Sequence, residues 1–267
     1  YGTARDIVIG MQFATLEGKL VQSGGMVVKN VAGLDMSKLL IGSFGTLAAI
    51  TVVNFKLFPK PPGQRSYLLR FDTAAAAGER AREVLGSVLQ PVAVDFFNPA
   101  AAAELGVGPS WVPASQAAGT EGGLARYGRE LSGAERLEGG GESVFWDNVR
   151  EFGPNYIGRN TGGAVVRLSR VLTDVAPALN DLPGPGWARA GSGVCYGAFA
   201  EAGEASRWMQ GDAVRRNKAV FEIVAENRKP ELDLWPDAGP ELELMQKIKQ
   251  MFDPSGLLNR RRLYGRF

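Results

Sequence analysis

The sequence predicts an α+β fold, and three observations predict it. From Tyr67 onward, short apolar runs alternate with amphipathic stretches in a strand–helix–strand repetition. Ahead of that, two strand-like runs and a glycine-rich loop lead into a long stretch rich in Val, Ile and Thr over Leu47–Leu57. Between the two regions, Pro59-Lys60-Pro61-Pro62-Gly63 interrupts every periodic pattern and marks a domain boundary. The expected division is 1–62, 63–240, and a closing helix and tail over 241–267 that returns towards the first part.

Each element has its own warrant. Asp6–Thr15 is mostly apolar and reads as a strand. Leu16-Glu17-Gly18-Lys19 turns it, and Leu20–Gln22 returns as a short second strand. Ser23–Gly33 is loop, and Met36–Ile41 forms one to two helical turns with Asp35 placed to cap them. Leu47–Leu57 is expected to be a buried strand. Tyr67–Phe71 and Val92–Phe97 are strands around a helix whose apolar stripe is Ala81, Val84, Leu85, Val88 and Leu89. Gly106–Gly141 is rich in small residues and carries at most a weak repeat of this unit: a strand near Trp111, a helix near Leu124–Leu131 and a strand near Arg136. Ala164–Ser169, Trp187–Phe199 (broken by glycines) and Val220–Val224 read as strands, with helices over Val171–Leu182 and Trp208–Lys218. The pattern places helices on one face of a sheet. Leu242, Met245, Ile248, Met251 and Phe252 mark a last amphipathic helix, stopped by Asp253-Pro254-Ser255-Gly256.

Composition removes whole classes of chemistry. The 267 residues include no histidine, which excludes a Ser-His-Asp triad, a His-ligated metal and a histidyl-linked flavin within this sequence. A single cysteine, Cys195, excludes an internal disulfide framework and a Cys-rich zinc site. Thirty basic and 28 acidic residues give a net charge of +2, so neither a nucleic-acid groove nor a polybasic membrane anchor is supported. No apolar run reaches the roughly 18 residues of a membrane span. Glycine, at 35 residues, is about twice its usual share, so backbone shape matters here. The chain begins at Tyr1 and runs almost at once into a strand, which reads as the middle of a domain.

The stretch with chemical content is Gly24–Thr51. Glycines fall at 24, 25, 33, 42 and 45, and Gly42-Ser43-Phe44-Gly45-Thr46 leads directly into the long strand. Glycine lets backbone amides approach a flat or anionic ligand. The spacing matches neither a Walker loop nor a Rossmann fingerprint, and on spacing alone a set of tight turns is the plainer reading.

The residues themselves say more. Lys29-Asn30-Val31-Ala32-Gly33-Leu34-Asp35, then Ser37-Lys38-Leu39-Leu40, then Gly42–Thr46, resemble in order the second half of the FAD-binding domain of vanillyl-alcohol-oxidase/PCMH-type flavoproteins. Within that superfamily the similarity is greatest to FAD-binding subunits of bacterial glycolate oxidase. It is strong over 1–62, weak in the middle, and returns at Met251-Phe252-Asp253-Pro254-Ser255-Gly256-Leu257-Leu258-Asn259. The resemblance implies the C-terminal half of a VAO/PCMH-type FAD domain plus a ferredoxin-like α+β cap. It implies FAD as cofactor, with Gly24, Gly25, Gly33, Gly42 and Gly45 close to the flavin nucleotide. Asn30 and Asp35 become polar positions of that loop, and Thr46 and the Ile50 backbone lie near the adenosine. Asp35 serves equally well as a simple helix cap, and Lys38 as solvated surface. The family's pyrophosphate loop lies upstream of Tyr1, so this chain is expected to hold half of the cofactor site and to bind FAD poorly without the other half. The family usually closes on Asn-Pro-Gly, whereas here Asn259 is followed by Arg260-Arg261-Arg262.

Three functions are in play. The first is an FAD-holding subunit of a 2-hydroxy-acid (glycolate) oxidase, beside a catalytic 2-hydroxy-acid-oxidising FAD subunit and an iron–sulfur subunit. It would be cytoplasmic, with peripheral membrane association through its partners. The second is a complex-forming subunit without redox chemistry. The third is the C-terminal part of a D-lactate-dehydrogenase-like FAD enzyme. The missing histidines count against the third, and against this chain deprotonating the hydroxy acid itself. Among other candidates, Cys195 is expected to be a buried inert thiol and the five tryptophans core. Tyr156 and Tyr196 are expected to be structural and Arg159 and Arg167 solvated, although either arginine could fork a carboxylate.

Overall fold

A computed structural model describes residues 2–26, 33–236 and 238–265. The chain divides into two compact units, Tyr1–Lys60 with Asp237–Phe267, and Pro61–Pro236.

The first unit opens with one helical turn, α1 (Ala4–Ile7), where a continuous strand from Asp6 is expected. Thr3 and Asp6 form a reciprocal capping box there, which favours the turn over extension. Strands β1 (Val8–Ala14) and β2 (Leu20–Gly24) make a hairpin, followed by α2 (Met36–Leu40) and β3 (Ala49–Phe55). The sheet order is β2-β1-β3, antiparallel throughout. Met11 and Phe13 of β1 pack with Leu40, Leu47 and Ala48 into a small core. β3 corrects the expectation of a buried strand: Ile50, Val52 and Phe55 are 45–52% exposed. Among the described residues it is an edge strand, hydrogen-bonded to β1 alone.

The second unit is built from two copies of one motif. The first copy runs β4 (Gly63–Leu68), α3 (Ala74–Gly86), β5 (Ala93–Phe97), α4 (Pro99–Glu104), β6 (Val112–Gly119), α5 (Glu121–Glu130) and β7 (Glu135–Leu137). Two helices, α6 (Gly139–Arg150) and α7 (Phe152–Arg159), connect it to the second copy. That copy runs β8 (Ala164–Ser169), α8 (Val175–Asn180), β9 (Gly186–Arg189), β10 (Val194–Phe199), α9 (Ala202–Gln210), α10 (Ala213–Lys218) and β11 (Ala219–Val224). The eight strands order as β11-β8-β10-β9-β5-β6-β4-β7. Each half therefore has the βαββαβ order of a ferredoxin-like fold, and the halves join where β5 pairs antiparallel with β9. The weak repeat in the small-residue segment is real structure, and the glycine-broken run at Trp187–Phe199 is the β9–β10 hairpin.

Helices cover both faces of this sheet, not one. On one side α3, α5, α8 and α9 bury Ala81, Leu124, Leu179 and Ala205 against Tyr67, Phe96 and Val166. On the other, α4, α6 and α7 bury Ala101, Phe145 and Phe152 against Leu68, Phe97 and Val165. Neighbours in sequence thus face opposite cores, which is why these strands read as continuous apolar runs. α3 ends at Gly86, leaving Val88 71% exposed and outside the expected stripe.

The chain then returns to the first unit as α11 (Glu241–Phe252), whose Ile248 and Phe252 pack on that unit's core. Met251, expected in the same stripe, is 78% exposed, because it lies off the face that carries Ile248 and Phe252.

Candidate functional site

The glycine-rich stretch is organised around α2. Asp35 caps the helix, accepting from the Lys38 amide at 3.2 Å and pairing with the Lys38 ammonium at 3.2 Å. Buried Ser23 ties the entry down: its Oγ accepts from the Met36 amide at 3.2 Å. After α2 the chain makes a compact turn in which the Thr46 amide and hydroxyl both donate to the Ser43 carbonyl, at 3.0 and 2.7 Å. Gly42, at φ 88°, supplies the left-handed backbone the turn needs. Phe44 adopts φ 53° without being glycine, and its ring is half exposed.

A buried lock holds this turn to the end of the chain. Lys249 lies seven residues after Leu242, on the inward face of α11, and is buried. Its ammonium donates to the Thr46 carbonyl at 2.8 Å and the Leu258 carbonyl at 2.9 Å, and pairs with Asp253. Three acceptors use the full donor capacity of an ammonium. Asp253, 1% exposed, also accepts the Leu257 and Leu258 amides at 2.9 and 2.7 Å. Burial alone would push its carboxyl up, but the Lys249 ammonium and the two amides outweigh that and hold it down at about 2. Asn259 completes the closure by donating from Nδ2 to the Phe44 carbonyl at 2.6 Å. A Cβ at Gly45 would lie 2.8 Å from that Nδ2, and the residue sits at φ 70°, so a side chain there is strained and must displace the Asn259 amide. Sequence reading missed this lock. The available signal was a Lys/Asp pair at i, i+4 on the apolar face of a helix.

The residues proposed from sequence separate into groups. Gly24 ends β2 opposite Gly10, and a Cβ there would sit 2.4 Å from the Ile9 carbonyl, so strand pairing already uses its small size. At Gly25, Gly33 and Gly42, a Cβ would meet nothing within 4 Å among the described residues, which leaves the space beside their backbone open to that extent. The Thr46 side chain is buried and turned into its own loop. Ile50 lies on the exposed part of β3. Asn30, and Lys29 beside it, lie outside the described residues.

In the second unit Cys195 is buried among the α3/α8-side core, and burial pushes its thiol up to about 12, which makes it unreactive near neutral pH. Arg159 pairs with Glu104 at 2.6 Å and Arg167 with Glu222 at 3.0 Å. Tyr156 is core, and the Tyr196 ring stacks on Trp187 with centroids 5.1 Å apart. Sequence reading did not single out Asp95, a carboxylate 1% exposed at the β5–β9 seam. Burial raises it to about 6 against the pull of Arg189, whose Nη1 lies 3.2 Å away.

Comparison with known proteins agrees with this architecture. The family described as FAD linked oxidases, C-terminal domain, matches residues 236–263, which hold α11, the lock and the closing turn. Glycolate oxidase subunit GlcE of Escherichia coli is 29% identical over 98% of this chain and 67% of its own length. Glycolate oxidase subunit GlcD of Bacillus subtilis is 33% identical over 37% of this chain and 21% of its length. Among solved structures, substrate-bound p-cresol methylhydroxylase superposes with a TM-score of 0.66 at 14% identity, covering 97% of this chain and 65% of that one. The chain thus spans from a fifth to two thirds of these proteins. The likeness to p-cresol methylhydroxylase is one of fold. The first unit fits the flavin dinucleotide that this fold implies: open glycine backbone at Gly25, Gly33 and Gly42 stands in one unit with the half-exposed apolar side chains of β3. Flat apolar walls with backbone donors suit such a ligand.

Proposed function

We propose that this chain, which has the fold and closing motif of the FAD-linked oxidases, is the FAD-holding subunit of a 2-hydroxy-acid oxidoreductase of the glycolate oxidase type. The observation that carries the reading is the Gly42–Thr46 turn, open at Gly42 among the described residues and locked to the tail by Lys249, in a chain that aligns with GlcE over nearly its whole length. Gly25, Gly33 and Gly42 present backbone to the nucleotide, and Ile50 forms part of the wall beside the adenosine. Asp35 keeps the loop in register through its cap on α2. Bound FAD supplies two-electron chemistry at its isoalloxazine ring.

The chain contains no histidine to take the proton from a hydroxy acid. The reading therefore assigns substrate oxidation to a second flavin subunit, and places this one on the electron path towards an iron–sulfur subunit. No helix among the described residues is long and apolar enough to cross a membrane. A cytoplasmic complex that touches the membrane only through partners accords with that.

The test is stopped-flow absorbance of the flavin, in protein shown beforehand to be loaded with FAD, on mixing with glycolate. The expected result is negligible flavin reduction for this protein alone, and rapid reduction once the hydroxy-acid-oxidising subunit is added. Fast reduction of the isolated protein would refute the division of labour.

A further inference from the structure

Charge is divided unevenly between the two units. The first carries 12 basic and 7 acidic residues and the second 18 and 21, so the chain's net +2 splits into +5 and −3. The excess gathers at the tail: from Pro254 to the end there are four arginines, no lysine and no acidic residue. Arg260, Arg261 and Arg262 are exposed, and none forms an ion pair among the described residues. Exposed arginines of the second unit such as Arg150 and Arg159, by contrast, pair with Asp147 and Glu104 at 2.8 and 2.6 Å.

These charges stand on a fixed base. Arg260 donates from Nε to the Gly256 carbonyl at 2.6 Å, and Asn259 and Arg261 hold φ of 38° and 59°. Such conformations persist where the surroundings impose them. Here Lys249 bonds the Leu258 and Thr46 carbonyls, and Asn259 bonds the Phe44 carbonyl. The same bonds tie the arginines to the turn that the proposed function gives to the flavin nucleotide. Arg260 and Arg261, with Gln250 and Pro254, line an open groove of about 310 Å³. Asp253 lies at its floor, but its charge is already met by Lys249 and two backbone amides. Met251 and Leu257, each next in sequence to a residue of that groove, are exposed.

We infer that the Arg260–Arg262 turn is the docking surface for an acidic face of the protein that accepts electrons from this unit. The inference rests on the flavin-holding reading and names a partner contact for it. Electron transfer requires the acceptor to come close to the flavin, and the tail is bonded to the turn assigned to the nucleotide. Electron-transfer encounters bury small interfaces, and opposite charge brings the partners together. Guanidinium forks match partner carboxylates. Arginine and methionine are enriched at protein interfaces and lysine is depleted, which favours a protein over a lipid surface.

Association with the purified iron–sulfur subunit of the oxidase, followed by biolayer interferometry on FAD-loaded protein, tests it. The R260E/R261E/R262E protein should associate roughly tenfold or more slowly at low salt, the scale of electrostatic steering. Added salt should slow the unaltered protein but not this variant. R261E alone, which removes no side-chain bond among the described residues, should slow association several-fold with an unchanged melting curve. R260K/R261K/R262K should keep most of the rate, because steering acts through charge. Unchanged rates and salt dependence in the R261E and triple-glutamate proteins overturn the inference. So does loss of binding to phosphatidylglycerol vesicles with subunit association intact, which would assign the tail to a membrane. A fall in the variants' FAD content would place the arginines at the cofactor and overturn it too. No association by the unaltered protein would defeat the flavin-holding reading as well, whereas association that ignores the arginines defeats this inference alone.

Discussion

β3 of the first unit and β5 of the second are both apolar strands, yet the structure treats them in opposite ways. Ile50, Val52 and Phe55 of β3 are about half exposed, while Phe96 and Phe97 of β5 are 1% and 0% exposed. Composition does not separate them. β5 pairs on both sides, with β6 and β9, and has helices over both faces, whereas β3, among the described residues, is an edge strand paired only with β1. An apolar run states that a strand wants cover; whether it has cover depends on the layers around it. In β5 those residues hold the fold together. In β3 they are available to something else, which the proposed function takes to be the flavin nucleotide.

The contrast can be broken most severely at its buried pole. Phe97→Ala removes a ring packed edge-on against Phe145, 6.0 Å between centroids, and should cost about 3–5 kcal/mol of unfolding free energy in urea. Ile50→Ala on β3 should cost under about 1 kcal/mol, in keeping with its exposure. Equal losses at the two sites would mean that β3 is covered after all. A second test bears on the first unit's own anchor. Lys249→Met strands Asp253 as a buried unpaired carboxylate and should cost about 3 kcal/mol. A Lys249→Met/Asp253→Leu pair, which removes both charges, should recover much of that loss, and failure to recover would show that the bonds to Thr46 and Leu258 dominate.

A last test sharpens the seam between the two repeats. Asp95 titrates near 6 in the folded protein against an ordinary 3.8. Between those values the folded state keeps a proton that the unfolded chain has released, so stability falls as pH rises from about 4 to 6 and levels off above. The size is on the order of 2–3 kcal/mol. Asp95→Asn should flatten that slope in denaturant titrations run across this range. An unchanged slope would place the proton elsewhere.

Much of this was legible in the residues. The Ala164–Ser169 strand, the Asp35 cap and the α11 helix follow from local periodicity and capping chemistry, which need only a few neighbours in sequence. The small-residue segment Gly106–Gly141 gave a weaker signal, because Ala, Gly and Ser satisfy several patterns at once; packing against Phe145 and Leu124 is what settles it. The glycine positions of the candidate site could be listed, but not sorted. Gly24 and Gly42 look alike in sequence, and only the fold distinguishes one that admits a neighbouring strand from one that faces open space.

By itself, then, the sequence determined the alternation of elements, the break at Pro59–Gly63, the absence of imidazole chemistry and the glycine loop that resembles a flavin site. These are local or compositional properties, decided within a turn or two of chain. The tertiary structure alone decided that the second unit is a doubled motif joined at β5–β9, that helices cover both of its faces, and that Lys249 reaches the carbonyl of Thr46. Each of these depends on residues far apart in the chain. Such contacts form only when the whole domain closes, and loop-closure entropy leaves no trace of them in the local pattern.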